Sequence, residues 1–161
     1  MASGVYSHRL GERWLAGGAS NSGGAALLAH FTAERIAELT PRLHPERRTG
    51  FRYYPLPTKG ERFPICDPEM PFEIAQRPAD DAVFFQALLE GIAEIEALAY
   101  RRLAELGAPA PRRVLTVGGG ARNDAWTRIR GRSLGVPVSM AAETEAAYGT
   151  ALLALHGGPP P

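Results

Sequence analysis

Residues 114–154 read VLTVGGGARNDAWTRIRGRSLGVPVSMAAETEAAYGTALLA. Residues 113–117 form a short run with β-branched members, entered from a Pro-rich turn and left through Gly118-Gly119-Gly120, which predicts a strand closing on a glycine turn. A helix is expected from about Asp124 to Leu134, ended by Gly135 and Pro137. A strand over residues 136–140 and a last helix over about 143–155 follow. Strand, helix, strand, helix in succession implies an α/β sheet with right-handed crossovers.

Upstream the same alternation begins. Residues 5–10 and 13–16 read as two extended pieces either side of the turn-forming Gly11-Glu12. Ser20-Asn21-Ser22-Gly23-Gly24 is a second glycine turn, and residues 25–31 have helical composition with Ser or Asn available as N-cap. From residue 41 to 78 lie most of the prolines, interleaved with aromatics in YYPLP and RFP, so no long helix fits there. An ordered loop packed on the domain is expected, with a polyproline ligand for another protein as the alternative. Asp80-Asp81 then caps a long helix whose apolar residues, from Phe84 to Leu106, recur every three or four positions and face one side. It stops at Gly107, with Pro109 beyond. Gly91 inside it costs roughly 1 kcal/mol relative to Ala, which is understandable if a backbone or ligand approaches closely there.

The chain has 161 residues, one domain's worth, with 45% hydrophobic and 22% charged residues. Its net charge of +1 gives no basic excess to suggest nucleic acid or an anionic membrane as main partner. Cys66 is the one cysteine, so an intramolecular disulfide framework or a multi-thiolate zinc site is excluded. Arg9, Glu12 and Arg13 stand where a signal peptide needs apolar residues, and no run of eighteen apolar residues occurs, so a cytoplasmic, soluble protein is expected. His8, His30, His44 and His156 show no metal-ligating spacing and read as surface or partly buried polar groups.

The two glycine turns, each between a strand and a helix, carry the functional signal. Glycine lets a backbone approach a ligand, and a nucleotide is the natural candidate; the alternative is that the glycines only make tight turns. Gly18 to Gly23 begins like a P-loop, but Gly24 and Ala25 replace its Lys and Ser/Thr. Asn123 takes the third glycine's place in a dinucleotide fingerprint, and neither Ser20 nor Ser22 is flanked as a nucleophile elbow requires.

The 114–154 stretch resembles the end of an FGGY carbohydrate kinase: a strand, GGGA, a polar pair, an aromatic, a helix, LG-PV, then E-AA-GTALLA. Trp14-Leu15 through GGASNSGGAAL, YYPLP-GERFP-DP and RPADD…LLEGIAEIEALAYRRLAELGA resemble the branch with D-ribulose kinases and xylulose-kinase-like proteins, so the match covers nearly the whole chain. The resemblance implies an α/β fold, the C-terminal lobe of the actin/Hsp70/hexokinase-like (ribonuclease H-like) ATPases, lacking its first strand. It would occupy residues 1–156, with a Pro-rich insertion at about 41–79 and a flexible tail at 157–161.

By the same resemblance, ATP and Mg2+ are the cofactors of the complete kinase. Gly118, Gly119, Gly120 and Asn123 match the adenosine motif, and Gly23 and Gly24 match the turn on the other side of the nucleotide. Arg122, Arg128, Arg130 and Arg132 read as solvated helix charges rather than phosphate ligands. The general base, the phosphate loops and most of the sugar site would belong to an amino-terminal lobe and to segments without a match here, so the chain alone is expected to be inactive. Two rival expectations are an interaction module that pairs with a separate amino-terminal lobe and a small nucleotide-binding protein without kinase chemistry. Exposed strand edges would favour self-association.

Overall fold

The computed structural model describes residues 4–72, 74 and 76–156, so the tail expected at 157–161 lies outside the described residues. Strands β1 (Val5–Leu10) and β2 (Arg13–Gly18) form an antiparallel hairpin in which Val5 faces Gly18 and Leu10 faces Arg13. Gly11 turns the chain between them at φ 59°, where a Cβ would be strained. Helices α1 (Gly24–Leu28) and α2 (Ala33–Leu39) follow, then the long α3 (Asp81–Glu105). Strand β3 (Val114–Thr116), helix α4 (Asp124–Leu134), strand β4 (Val138–Met140) and helix α5 (Ala146–His156) complete the order.

Strands β3 and β4 are parallel, Val114 opposite Val138 and Thr116 opposite Met140, with α4 as the crossover between them. Among the described residues the strands pair as two separate two-stranded sheets rather than as one, because no described strand joins the hairpin to β3.

The helix signals at 80–107 and 124–135 correspond to physical caps. Asp80 accepts from the Ala82 N–H, Asn123 accepts from the Trp126 N–H, and Gly135 ends α4 in the left-handed region. At α1 the expectation fails. Gly23 occupies the N-cap without a side-chain bond, since Ser20, Asn21 and Ser22 spend their side chains elsewhere. Helix α2 lies beyond the helical stretch expected at 25–31, and Thr32 caps it by accepting from the Arg35 N–H at 3.2 Å.

The first half of α3 is buried on nearly every side rather than along one apolar face. The Pro-rich segment covers further sides, with Tyr53 against Phe84 and the Tyr53 carbonyl and Pro55 Cδ against Gly91. The core joins Phe84, Phe85 and Leu88 of α3 to Phe31, Leu39 and Ile129. Tyr53 meets Phe84 edge-on at 5.9 Å between ring centres, and the Arg77 guanidinium lies 4.6 Å from the Phe84 centroid.

Two polar residues of α3 tie the loop down. Gln86 accepts from the His44 N–H at 2.7 Å and donates to the Arg47 carbonyl at 2.6 Å. Glu90 accepts from the Thr49 hydroxyl at 2.7 Å, the Thr49 N–H at 3.1 Å and Arg132 at 2.7 Å. Burial pushes the Glu90 carboxyl up, but the bonds from Thr49, Gln86 and Arg132 outweigh it and hold it below its ordinary value.

Gly91 meets the backbone that its sequence position suggested. A Cβ there would lie 2.7 Å from the Tyr53 carbonyl oxygen and 2.9 Å from Pro55 Cδ. We expect Gly91→Ala to destabilise the protein by about 1–2 kcal/mol, overpacking outweighing the gain in helix propensity of about 1 kcal/mol. Thermal unfolding checks this; a raised melting temperature would contradict it.

A carboxyl held below its ordinary 4.5 stabilises the fold fully above that value and loses the contribution as pH falls through the depressed folded value. Between about pH 6 and about pH 3, wild type should therefore lose more stability than Glu90→Gln, which starts lower and has no carboxyl to protonate at that position. Parallel denaturation series at the two pH values measure the difference.

Candidate functional site

The hairpin end and the β3–α4 turn meet across a groove of about 330 Å3. Helix α3 lines it with Ile92, Ile95, Glu96 and Ala99. Gly18, Ser20, Ser22 and Phe63 line it from the hairpin and loop side, and Thr116, Val117, Gly120, Trp126 and Arg130 from the β3–α4 side. The volume lies at the lower end of the range of roughly 300–1,000 Å3 seen for small-molecule sites, and the lining mixes apolar surface with a few polar groups.

On the hairpin side Gly18 is required for close packing, since a Cβ there would lie 2.2 Å from Phe63 Cδ1. The Ser20-Asn21-Ser22 turn is fastened to the Pro-rich loop. Ser20 donates to Glu61 at 2.6 Å, Ser22 donates to the Pro55 carbonyl at 2.6 Å, and the Asn21 amide donates to the Gly60 carbonyl at 3.0 Å. Tyr54 also donates to Glu61, at 2.9 Å. Burial and that carboxylate hold the Tyr54 hydroxyl far above the usual phenol range, so it remains a donor at every physiological pH.

On the other side Gly118 (φ 79°) turns the chain out of β3 into a 3-10 turn over Gly119–Arg122. Gly120 packs beside Trp126, whose Nε1 would stand 3.4 Å from an added Cβ. Arg130, 7% exposed, forms a two-pronged pair with Glu96 at 2.7 Å for each prong and bonds the Thr116 hydroxyl. This corrects the reading of the four arginines as solvated charges. Arg130 is enclosed, and Arg132 pairs with Glu90 and the Pro45 carbonyl, because α4 packs on α3 and the loop at that face. Arg122 and Arg128 are exposed as expected.

Of the six residues singled out in the sequence, Gly120 lines the groove. Gly118 and Gly119 lie in the same turn, exposed, with open space where a Cβ would stand. Gly23 and Gly24 open α1, also with open space, one residue past the groove-lining Ser22. The Asn123 side chain is spent on the cap of α4. Ser20, Ser22, Thr116 and Trp126 were not anticipated as lining residues. The polar triplet before Gly23 and the aromatic just after the glycine run were the signals available. Larger hollows of about 560 Å3 around Arg48, Phe51 and Glu94, about 490 Å3 around Arg42, Arg47 and Val83, and about 390 Å3 around Arg52, Tyr54 and Ile74 lie away from both glycine turns.

Residues 2–158 match the family described as "FGGY family of carbohydrate kinases, C-terminal domain". Among solved structures, the chain is similar to a ligand-bound xylulose kinase from Lactobacillus acidophilus, with TM-score 0.72 and 20% identity, covering 96% of this chain and 34% of that one. It is also similar to a xyloylose kinase from Brucella ovis, with TM-score 0.73 and 25% identity, covering 99% of this chain and 37% of that one. The chain thus spans only about a third of the length of these structures.

Removing one partner of an enclosed ion pair leaves the other uncompensated, whereas replacing both with apolar groups does not. We expect Arg130→Met to cost about 2–4 kcal/mol and Arg130→Met with Glu96→Leu to cost less than Arg130→Met alone. Arg128→Ala, at an exposed position 3.7 Å from Glu46, should stay within about 0.5 kcal/mol of wild type. Urea denaturation of the three variants gives the comparison; a double variant weaker than the single would contradict it.

Proposed function

Because the chain belongs to the FGGY family of carbohydrate kinases, we propose that it is the nucleotide side of an ATP-dependent pentulose kinase of D-ribulose or D-xylulose type. Its mixed α/β fold is that of the C-terminal lobe of the actin/hexokinase-like ATPases. The observation that carries the reading is that Ser20 and Ser22, just before Gly23, and Gly120 of the second glycine turn line one groove.

The groove fits the adenosine part of ATP. Gly118, Gly119, Gly23 and Gly24 leave their backbone approachable, and Gly120 and Trp126 would bound the space for the purine. Asn123 would contribute by fixing the start of α4. ATP, when bound, supplies the transferable phosphoryl group. Mg2+ would arrive with the nucleotide phosphates. The general base and the sugar site are assigned to a separate amino-terminal lobe, and this chain alone is proposed to be inactive. No helix among the described residues is long and apolar enough to cross a membrane. We assign the protein to the cytoplasm, in keeping with the exposed free thiol of Cys66.

A second reading, an interaction module that pairs with a separate amino-terminal lobe, is favoured by the apolar side chains left exposed. Trp14 is 68% and Leu155 77% exposed, with Leu115 and Val117 also open to solvent. The two readings agree on the lobe and differ in whether the groove holds nucleotide.

Titration of the purified chain with a fluorescent ATP analogue separates them. We expect saturable binding, weakened about tenfold or more in Gly119→Val, and no sugar-dependent ADP release with D-ribulose or D-xylulose. Absence of binding together with capture of an amino-terminal lobe would favour the second reading. ADP release that follows the chain through purification and vanishes in Gly119→Val would overturn the proposed inactivity.

A further inference from the structure

Glu61 is 3% exposed, and nothing in the nucleotide reading uses it. Its Oε1 accepts from the backbone N–H groups of Asn21 at 2.7 Å and Arg62 at 2.8 Å. Its Oε2 accepts from the hydroxyls of Ser20 at 2.6 Å and Tyr54 at 2.9 Å. Both oxygens are thereby occupied, which leaves Glu61 unavailable as a metal ligand or general base. The adjacent residue's guanidinium turns elsewhere: Arg62 Nε donates to the Asn21 side-chain oxygen at 2.6 Å. A buried carboxylate satisfied by four donors is strong, directional and costly to loosen, because removing it orphans all four.

Three of those four donors lie outside Glu61's immediate neighbourhood in sequence, and two of them belong to the turn that lines the groove. Ser20 Oγ, while donating to Glu61, also accepts from the Ser22 N–H at 2.9 Å, so the carboxylate's hold reaches the next lining residue. The Ser20 hydroxyl proton is committed to Glu61 and that of Ser22 to Pro55, so this side offers a ligand a fixed shape and its backbone rather than free hydroxyl donors.

We propose that Glu61 is a positioning residue: it fixes the Ser20–Ser22 turn at a set distance across the groove from Gly120, and so sets the affinity of the groove for nucleotide. The affinity part rests on the nucleotide reading; the fixing of the turn does not.

Amide hydrogen exchange and titration with a fluorescent ATP analogue, on wild type, Glu61→Ala, Glu61→Gln and Leu39→Ala, test it. In Glu61→Ala the Asn21 and Ser22 amides should exchange about tenfold faster or more while α3 is unchanged, and the dissociation constant should rise about tenfold. Glu61→Gln keeps a carbonyl oxygen for the Asn21 and Arg62 amides and should stay near wild type in both. Leu39→Ala loosens the core and should lower the melting temperature without changing either readout. Should Glu61→Ala fail to fold, Ser20→Ala removes a single donor and is read in the same way. Unchanged exchange at Asn21 and Ser22 would overturn the proposal, as would a loosened turn with wild-type affinity. If wild type binds no nucleotide, the nucleotide reading fails, and the exchange data alone uphold or overturn the fixing of the turn by Glu61.

Discussion

The first half of α3 is buried on nearly every side, and the rest of the molecule is arranged to meet that constraint. A helix burying Phe84, Phe85 and Leu88 on one side and Gln86 and Glu90 on another needs cover that also satisfies polar groups. The Pro-rich loop provides both. Its backbone at His44, Arg47 and Thr49 bonds to Gln86 and Glu90, and its Tyr53 carbonyl sits where any side chain larger than hydrogen at residue 91 would collide. What reads in the sequence as an insertion is, physically, a layer of the core.

Further along α3 the same logic acts through charge. Glu90 and Glu96 face α4, and each takes one of its arginines, Arg132 and Arg130, so α4 is held at two points against α3. Since α4 begins at the glycine turn, these pairs also bring Gly120 and Trp126 to the groove that Ile92 and Ile95 line. On the opposite side of the groove Glu61 does the corresponding work with neutral donors. Three carboxylates, all largely enclosed, thus fix the two turns that face each other.

Local grammar was legible where a cap or a turn is written in adjacent residues. Asp80 starts α3 and Gly135 ends α4 as their positions suggest, and Gly11 makes the hairpin turn. Gly91 announced a close approach without saying of what. The groove's organisation was not legible, because its bonds join residues far apart in the chain: Ser20 and Glu61 are 41 positions apart, Arg130 and Glu96 34. An arginine on an amphipathic helix reads as solvated until the neighbouring element is known. Ser20 and Asn21 likewise read as caps until a distant carboxylate and carbonyl claim their side chains. The pairing of strands, among the described residues, into two two-stranded sheets is a tertiary fact that alternating elements do not encode.

In the proposed reading nucleotide sits between the Ser20–Ser22 turn and the Gly118–Gly120 turn. Photolabelling the purified chain with 8-azido-ATP, followed by peptide mapping, tests it directly. Label is expected on the segment carrying Gly118 to Trp126 or on that carrying Gly18 to Gly24, lost on competition with ATP. Competed label confined to the larger hollow near Arg48, Phe51 and Glu94, or no competed label at all, would contradict it.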